Sequence, residues 1–257
     1  MSSRTPEPVY TTAIAAGRLL FGGLRIKPLV TGAEHLPATG GAVLAITHFG
    51  YMDFALTEWM VWHRNRRRIR FLAKKGAFDK PVVGWLLRGM KHISVDMKAG
   101  AEAYSRAIAA LDAGEMLGVF PEAGVNTSFT VRELKTGTVR MAGEAKVPII
   151  PIAVWGGQRL LTKGRKPTLS EARGVPLRFA IGAPLTVDAS DDVRELTDAL
   201  RKTMQSLLDD AQTSYPDDGT GAWWQPAHLG GTAPTPEEAA VVEAERQRRK
   251  AAEAESR

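Results

Sequence analysis

Residues 42–63 read AVLAITHFGYMDFALTEWMVWH. The first part, Ala42–Ile46, is a short apolar run, the pattern of a strand covered on both faces. The last part, Phe54–His63, has the length and composition of a helix, and Trp59 and Trp62 share one of its faces. Between them Thr47–Asp53 carries a histidine, a glycine and an aspartate. A strand that runs into a helix through a short polar turn is the repeating unit of an α/β sheet.

Outward from this unit the alternation continues. Strands are predicted at Ile69–Ala73, His92–Val95, Leu117–Phe120, Ile149–Val154 and Leu177–Ile181, and helices at Lys80–Gly89, Gly100–Ala113, Val131–Ala145 and Asp191–Ala211. In the last helix Val193, Leu196, Leu200, Met204, Leu207 and Leu208 form one apolar stripe, which means core packing. The expected fold class is α/β, a mixed central sheet flanked by helices, with an N-terminal amphipathic helix and an extended or helical C-terminal tail. The expected division is residues 1–30 for the N-terminal helix, 31–213 for the α/β domain and 214–257 for the tail. Residues 9–27 combine Ile14, Leu19, Leu20, Phe21 and Leu24 with Arg18, Arg25 and Lys27, which suits a helix in a headgroup layer or one packed on the domain. Residues 216–236 are rich in Gly and Pro and read as an extended segment without a core of its own. Trp223 and Trp224 within it suit a staple on the domain or a lid.

With 257 residues, 44% of them hydrophobic, the chain has material for a real core. The absence of cysteine excludes disulfides, cysteine nucleophiles and thiolate metal sites. The net charge of +6 is uneven: residues 1–100 hold 15 Lys/Arg against 6 Asp/Glu. The run Arg64-Asn65-Arg66-Arg67-Arg68-Ile69-Arg70 suits an anionic lipid surface, the phosphates of coenzyme A, an acidic carrier protein or a plain solvated loop. No aromatic platform or recognised motif accompanies it, so no specific nucleic acid is expected. No secretory signal and no spanning helix are visible, and any membrane contact is expected at the surface. His35, His63, His92 and His228 lack metal-ligand spacing with carboxylates, and no metal is expected.

His48 and Asp53 suit general-base chemistry. A neutral imidazole, with an unperturbed pKa of about 6.5, accepts protons near neutrality, and a carboxylate on its other nitrogen holds the tautomer. Residues five apart in a helix lie about 140° from each other, so this pair meets only across a non-helical turn, for which Gly50 is suited. Glu122 follows the apolar strand that ends in Val119-Phe120-Pro121, where sites in α/β sheets gather.

In order, these motifs resemble those of the glycerolipid acyltransferase family. His48-x4-Asp53 is similar to its first block. Gly89-Met90-Lys91-His92-Ile93-Ser94-Val95-Asp96 is similar to the second, Phe120-Pro121-Glu122 to the start of the third, and Val147-Pro148-Ile149-Ile150-Pro151 to the fourth. The resemblance spans residues 28–185. It departs at Thr47, where the family usually has Asn, at Met97, where it usually has Arg, and at Ala123-Gly124-Val125-Asn126, where Gly-Thr-Arg-Ser often follows the glutamate.

The resemblance implies an O-acyltransferase of phospholipid biosynthesis, similar to the 1-acylglycerol-3-phosphate enzymes. It implies direct transfer from acyl-coenzyme A or acyl carrier protein, as co-substrate rather than bound cofactor, to a hydroxyl of a lysophospholipid or glycerol 3-phosphate. His48 and Asp53 are then the catalytic pair, and Glu122 binds an acceptor hydroxyl or holds the site. Both arginines associated with acceptor phosphate are missing from their places, and Lys74, Lys75, Arg88, Lys91, Lys135 or Arg140 are the candidates to replace them. A non-phosphate acceptor such as a glycolipid, and a non-catalytic lipid-binding protein, are the alternative readings. The expected partners include an anionic membrane surface, and the expected place is peripheral, on the cytoplasmic face.

Overall fold

The computed structural model describes residues 6–96, 99–188 and 190–255. Met97, which stands where the family's second block usually has Arg, lies outside the described residues. Seven strands form one mixed sheet: β1 (Lys27–Thr31), β2 (Ala42–Ile46), β3 (Ile69–Lys74), β4 (Ile93–Val95), β5 (Met116–Val119), β6 (Ile149–Trp155) and β7 (Pro176–Ile181). Their spatial order is β1-β7-β6-β2-β5-β3-β4. β6, β2, β5, β3 and β4 run parallel; β7 is antiparallel to β6 and carries β1 parallel to itself.

The helices are α1 (Pro8–Gly23), α2 (Asp53–Asn65), α3 (Lys75–Phe78), α4 (Pro81–Gly89), α5 (Gly100–Asp112), α6 (Gly137–Glu144), α7 (Leu169–Ala172), α8 (Val193–Thr213) and α9 (Pro236–Glu255). Every residue of β2 is buried, and its side chains alternate: Val43 and Ala45 join the core under α5, α6 and α8, whereas Ala42, Leu44 and Ile46 join the core under α1 and α2. In α8 Leu200, Met204 and Leu208 are fully buried, each worth about 1.5–3 kcal/mol of apolar burial.

The connections set the location of the site. β2 leads through α2 to β3, crossing β5 on one face. β5 leads through α6 to β6, crossing β2 on the other face. Two adjacent parallel strands thus send the chain in opposite directions, which opens a crevice at their carboxyl ends.

α1 packs on the domain. Tyr10, Ile14 and Phe21 are buried against the domain, and the Tyr10 hydroxyl accepts the Ile69 N–H at 3.0 Å. Leu19 and Leu20 remain exposed. The helix ends at Gly23, earlier than residue 27, because Lys27–Thr31 pairs with β7 and crosses the expected boundary at residue 30. The predicted helix at 131–145 starts only at Gly137, since Val131–Lys135 packs as an irregular segment over the crevice.

The arginine run is mostly internal. The buried Arg67 donates to the carbonyls of Pro37, Gly40 and Gly114. Arg70 lies buried between Glu7 and Glu115, and Arg68 also pairs with Glu7. These groups sit at the amino ends of β3 and β5, the opposite end of the sheet from His48, and they tie α1 to the domain. The chain after α8 adds to the main core: Tyr215, and Trp224 and Ala233 of the Gly/Pro-rich segment, are buried in it.

Candidate active site

His48 follows the end of β2. Thr47 fixes that end, because its hydroxyl accepts the Val154 N–H of β6 at 2.9 Å. The chain then turns through residues 49–52 and enters α2 at Asp53. Asp53 is 1% exposed and one of its oxygens, Oδ2, gathers the turn. It accepts the N–H groups of Phe49 and Gly50, each at 2.8 Å, and lies 3.2 Å from His48 Nδ1. Two amide donors and a ring nitrogen on one carboxylate oxygen leave His48 a single orientation, with Nε2 turned away from Asp53. Phe120 stacks on the imidazole at a centroid distance of 4.0 Å.

Gly50 is required by close approach. A methyl group on its α-carbon would lie 2.8 Å from the carbonyl oxygen of Gly157 and 3.0 Å from that of Leu161. The turn from Thr47 to Asp53 rests directly on residues 156–162: the Tyr51 N–H donates to Leu161 O at 2.8 Å, and the Thr162 hydroxyl donates to Phe49 O at 2.5 Å.

Glu122 reaches the same crevice from β5. It is 4% exposed and its oxygens are committed within the protein. Oε2 accepts from the Asn126 side chain at 3.0 Å and lies 3.7 Å from Arg132 Nε, and Oε1 faces the His48 N–H at a long 3.4 Å. Asn126 N–H in turn donates to His48 O at 2.9 Å. Burial pushes the Glu122 carboxyl above the ordinary carboxylate range, against the Asn126 hydrogen bond and the Arg132 charge. Through these contacts Glu122 joins the loop after β5 to the loop after β2. The amides of His48, Phe49, Gly50 and Tyr51 all face acceptors within the protein.

The candidate cations divide by location. Lys135 is exposed beside the site, with its N–H on Pro121 O at 2.9 Å. Lys74 is exposed at the carboxyl end of β3, two strands from β2, or roughly 10 Å at ordinary strand spacing. Lys75 pairs with Asp96 at 3.0 Å. Arg88 donates to Phe78 O at 2.8 Å and joins α3 to α4. Arg140 lies over Tyr104. Lys91 is paired with Glu7 at the amino end of the sheet, away from His48. Arg132, absent from the sequence-based candidates, is the cation built into the site: it pairs with Glu122, donates to Gly124 O at 2.7 Å and stays partly exposed. Among the described residues no group of three or more His, Asp or Glu converges as a metal-ligand set.

Residues 27–155 match the family model described as Acyltransferase. This chain belongs to the acyltransferase family. The acyltransferase is 32% identical over 192 residues to the 1-acyl-sn-glycerol-3-phosphate acyltransferase of Bacillus subtilis, covering 73% of this chain and 89% of that one. It is 30% identical over 247 residues to an uncharacterized protein of Mycobacterium leprae, covering 79% of this chain and 65% of that one. The fold of the acyltransferase matches the crystal structure of the 1-acyl-sn-glycerophosphate acyltransferase PlsC from Thermotoga maritima, with a TM-score of 0.67, 21% identity and 81% of each chain covered.

Proposed function

We propose that this acyltransferase moves a fatty acyl group from a thioester, acyl-coenzyme A or acyl carrier protein, to the free hydroxyl of a 1-acylglycerol 3-phosphate. The observation that carries this reading is the His48–Asp53 pair, built at the carboxyl-end crevice and oriented by a single carboxylate oxygen. The name of the Bacillus relative supports the choice of acceptor.

In this reading Asp53 keeps the His48 proton on Nδ1, and Nε2 removes the proton of the acceptor hydroxyl as its oxygen attacks the thioester carbonyl. The carbon–sulfur bond then breaks, and the thiolate takes the proton back from the imidazolium. A thiol pKa of about 8.5 makes it a good leaving group without a strong acid. Arg132 and Lys135, at the rim, supply positive charge for the acceptor phosphate in place of the arginines missing from the family pattern.

The enzyme is placed on an anionic membrane surface, where its acceptor resides. No helix among the described residues is long and apolar enough to cross a membrane. Val82, Val83 and Trp85 are exposed at the start of α4, close to the carboxyl end of β3, and Leu19 and Leu20 are exposed on α1. Apolar side chains of this size enter the headgroup layer readily.

The test is transfer of labelled acyl groups from acyl-coenzyme A and acyl carrier protein to phosphorylated and unphosphorylated acceptors presented in anionic vesicles. The expected result is product with 1-acylglycerol 3-phosphate, reduced about 10²–10⁴-fold by His48→Ala in a protein that still folds. Near-normal turnover by that variant removes the base assignment, and product with unphosphorylated acceptors alone removes the proposed acceptor.

A further inference from the structure

The segment that follows α8 touches the catalytic turn through a continuous set of contacts. Trp224 is 7% exposed. Its ring meets Tyr215 at 5.5 Å, Tyr215 meets Trp155 at 6.2 Å, and Trp155 meets Phe49 at 6.0 Å, all edge-on. Phe49 is one of the two residues whose N–H donates to Asp53 Oδ2. The column therefore begins 175 residues away in sequence from the backbone group that holds the Asp53 carboxylate, since Trp224 and Trp155 are 69 apart and Trp155 and Phe49 are 106 apart.

A second set of contacts reaches the same turn from below. Arg159 lies with its guanidinium 4.5 Å from the centre of the Trp224 ring, and its Nη1 donates to Asp217 at 2.5 Å and to the Tyr215 hydroxyl at 3.1 Å. Gln158 donates to Trp224 O at 3.4 Å, and Arg165 lies 4.4 Å from the centre of the Trp223 ring. Lys163 also pairs with Glu243 of α9. The residues held in this way lie between 158 and 165, within or next to the stretch 156–162 on which Gly50, Tyr51 and Asp53 rest.

We infer that residues 215–224 form a strap whose function is to position the His48–Asp53 pair, with Trp224 as the positioning residue acting through Arg159 and through the Tyr215–Trp155–Phe49 column. A mere tail would have no reason to hold two separate sides of one turn. Without the strap, residues 156–162 lose their outer wall, the floor under Gly50 and Asp53 loosens, and the carboxylate no longer keeps the imidazole in one orientation. Small displacements of a catalytic group lower the chemical step far more than substrate binding. The inference rests on His48 being the base, but the positioning itself is measurable without turnover.

The experiment compares the full-length protein with Trp224→Ala, Trp224→Phe and Arg159→Gln. It records amide hydrogen exchange of residues 47–53 together with kcat and KM for acyl transfer. In Trp224→Ala the Phe49 and Gly50 amides are expected to exchange at least about tenfold faster, with kcat lowered roughly tenfold to a hundredfold and KM for both substrates within about twofold. Trp224→Phe, which keeps a ring over Arg159, is expected to restore most of both. Arg159→Gln reports the same effect if Trp224→Ala does not fold. Unchanged exchange of these amides in the folded variants overturns the strap, as does a rise in KM with constant kcat. Altered exchange in a protein whose wild type transfers no acyl group leaves the strap standing and removes the proposed function; normal exchange in variants of an active enzyme does the reverse.

Discussion

Gly157 faces the Asp53 carboxylate so closely that a methyl group on its α-carbon would lie 2.5 Å from Asp53 Oδ1. That oxygen is buried and accepts no hydrogen bond, so the hydrogen of Gly157 is what fills the space beside it. The other oxygen, Oδ2, holds Phe49, Gly50 and His48.

Gly157→Ala is therefore expected to push Asp53 out of register with His48. Overpacking of this kind costs about 1–3 kcal/mol, or roughly 2–12 °C in melting temperature for a chain of this size. The loss of kcat is expected to be about 10²-fold, larger than the loss of stability explains at a temperature where the variant is folded. Thermal unfolding and steady-state kinetics on one preparation check it. A variant that loses stability but keeps kcat would show that the pair tolerates displacement.

Arg132→Ala is expected to raise KM for a phosphorylated acceptor about tenfold, which corresponds to about 1.4 kcal/mol, with little change for an unphosphorylated one. The selectivity between the two acceptors is the measurement. An equal loss with both would mean that Arg132 serves Glu122 alone.

Two buried groups give a distinct pH signature. His92 Nε2 lies 3.4 Å from Glu58 Oε1, and both side chains are buried. Burial pushes the Glu58 carboxyl well above its ordinary value, against Tyr10 and Arg70, and burial with the nearby Arg70 charge pushes His92 down to about 3. The folded pair is therefore neutral, with one proton. Between about 4.5 and 6.5 the unfolded chain also carries one proton on these two residues, so the pair adds no slope there. Above about 6.5 the folded state holds more protons than the unfolded chain, and stability falls as pH rises. Below about 4.5 it holds fewer, and stability falls as pH drops. Glu58→Gln leaves His92 alone, so the difference in stability between wild type and variant is expected to grow as pH is lowered from 6.5 to 4.5, by up to about 1.4 kcal/mol per unit. Denaturant unfolding at several pH values checks it, and a constant difference refutes the neutral pair.

Val82→Glu combined with Trp85→Glu is expected to weaken cosedimentation with anionic vesicles at least about tenfold, given about 1.5–3 kcal/mol for each buried apolar side chain. Both residues are mostly exposed, Val82 at 78% and Trp85 at 61%, so folding is expected to survive. Unchanged vesicle binding would move the membrane-facing surface elsewhere.

The parts of this molecule that depend on neighbours in sequence were readable from it. β2, the turn from Thr47 to Asp53 and the stripe of α8 follow from local pattern, because a buried strand and an amphipathic helix each impose a short period on the chain. The family is shown by the match over residues 27–155, which agrees with the four ordered motifs. What was not readable depends on contacts between distant segments. Lys27–Thr31 has no apolar alternation and becomes a strand only because β7 offers an edge. Arg67 and Arg70 look like solvated charge until the carbonyls and carboxylates around them are seen. Arg132 was hidden because the helix expected over 131–145 would have turned it elsewhere; the signal was its place ten residues after Glu122, within the loop that closes the crevice.

The adjacency of β2 and β5 has a further consequence. The spacing of the two strands that lead into the loops of His48 and Glu122 is set by the ladder, about 4.8 Å. Insertions or deletions within residues 123–135 reshape the wall of the crevice, and those that take out Asn126 also remove its hydrogen bond to His48 O. A swap of that loop between relatives that keeps Asn126 is therefore expected to change the room beside His48 while the turn that carries it stays in place.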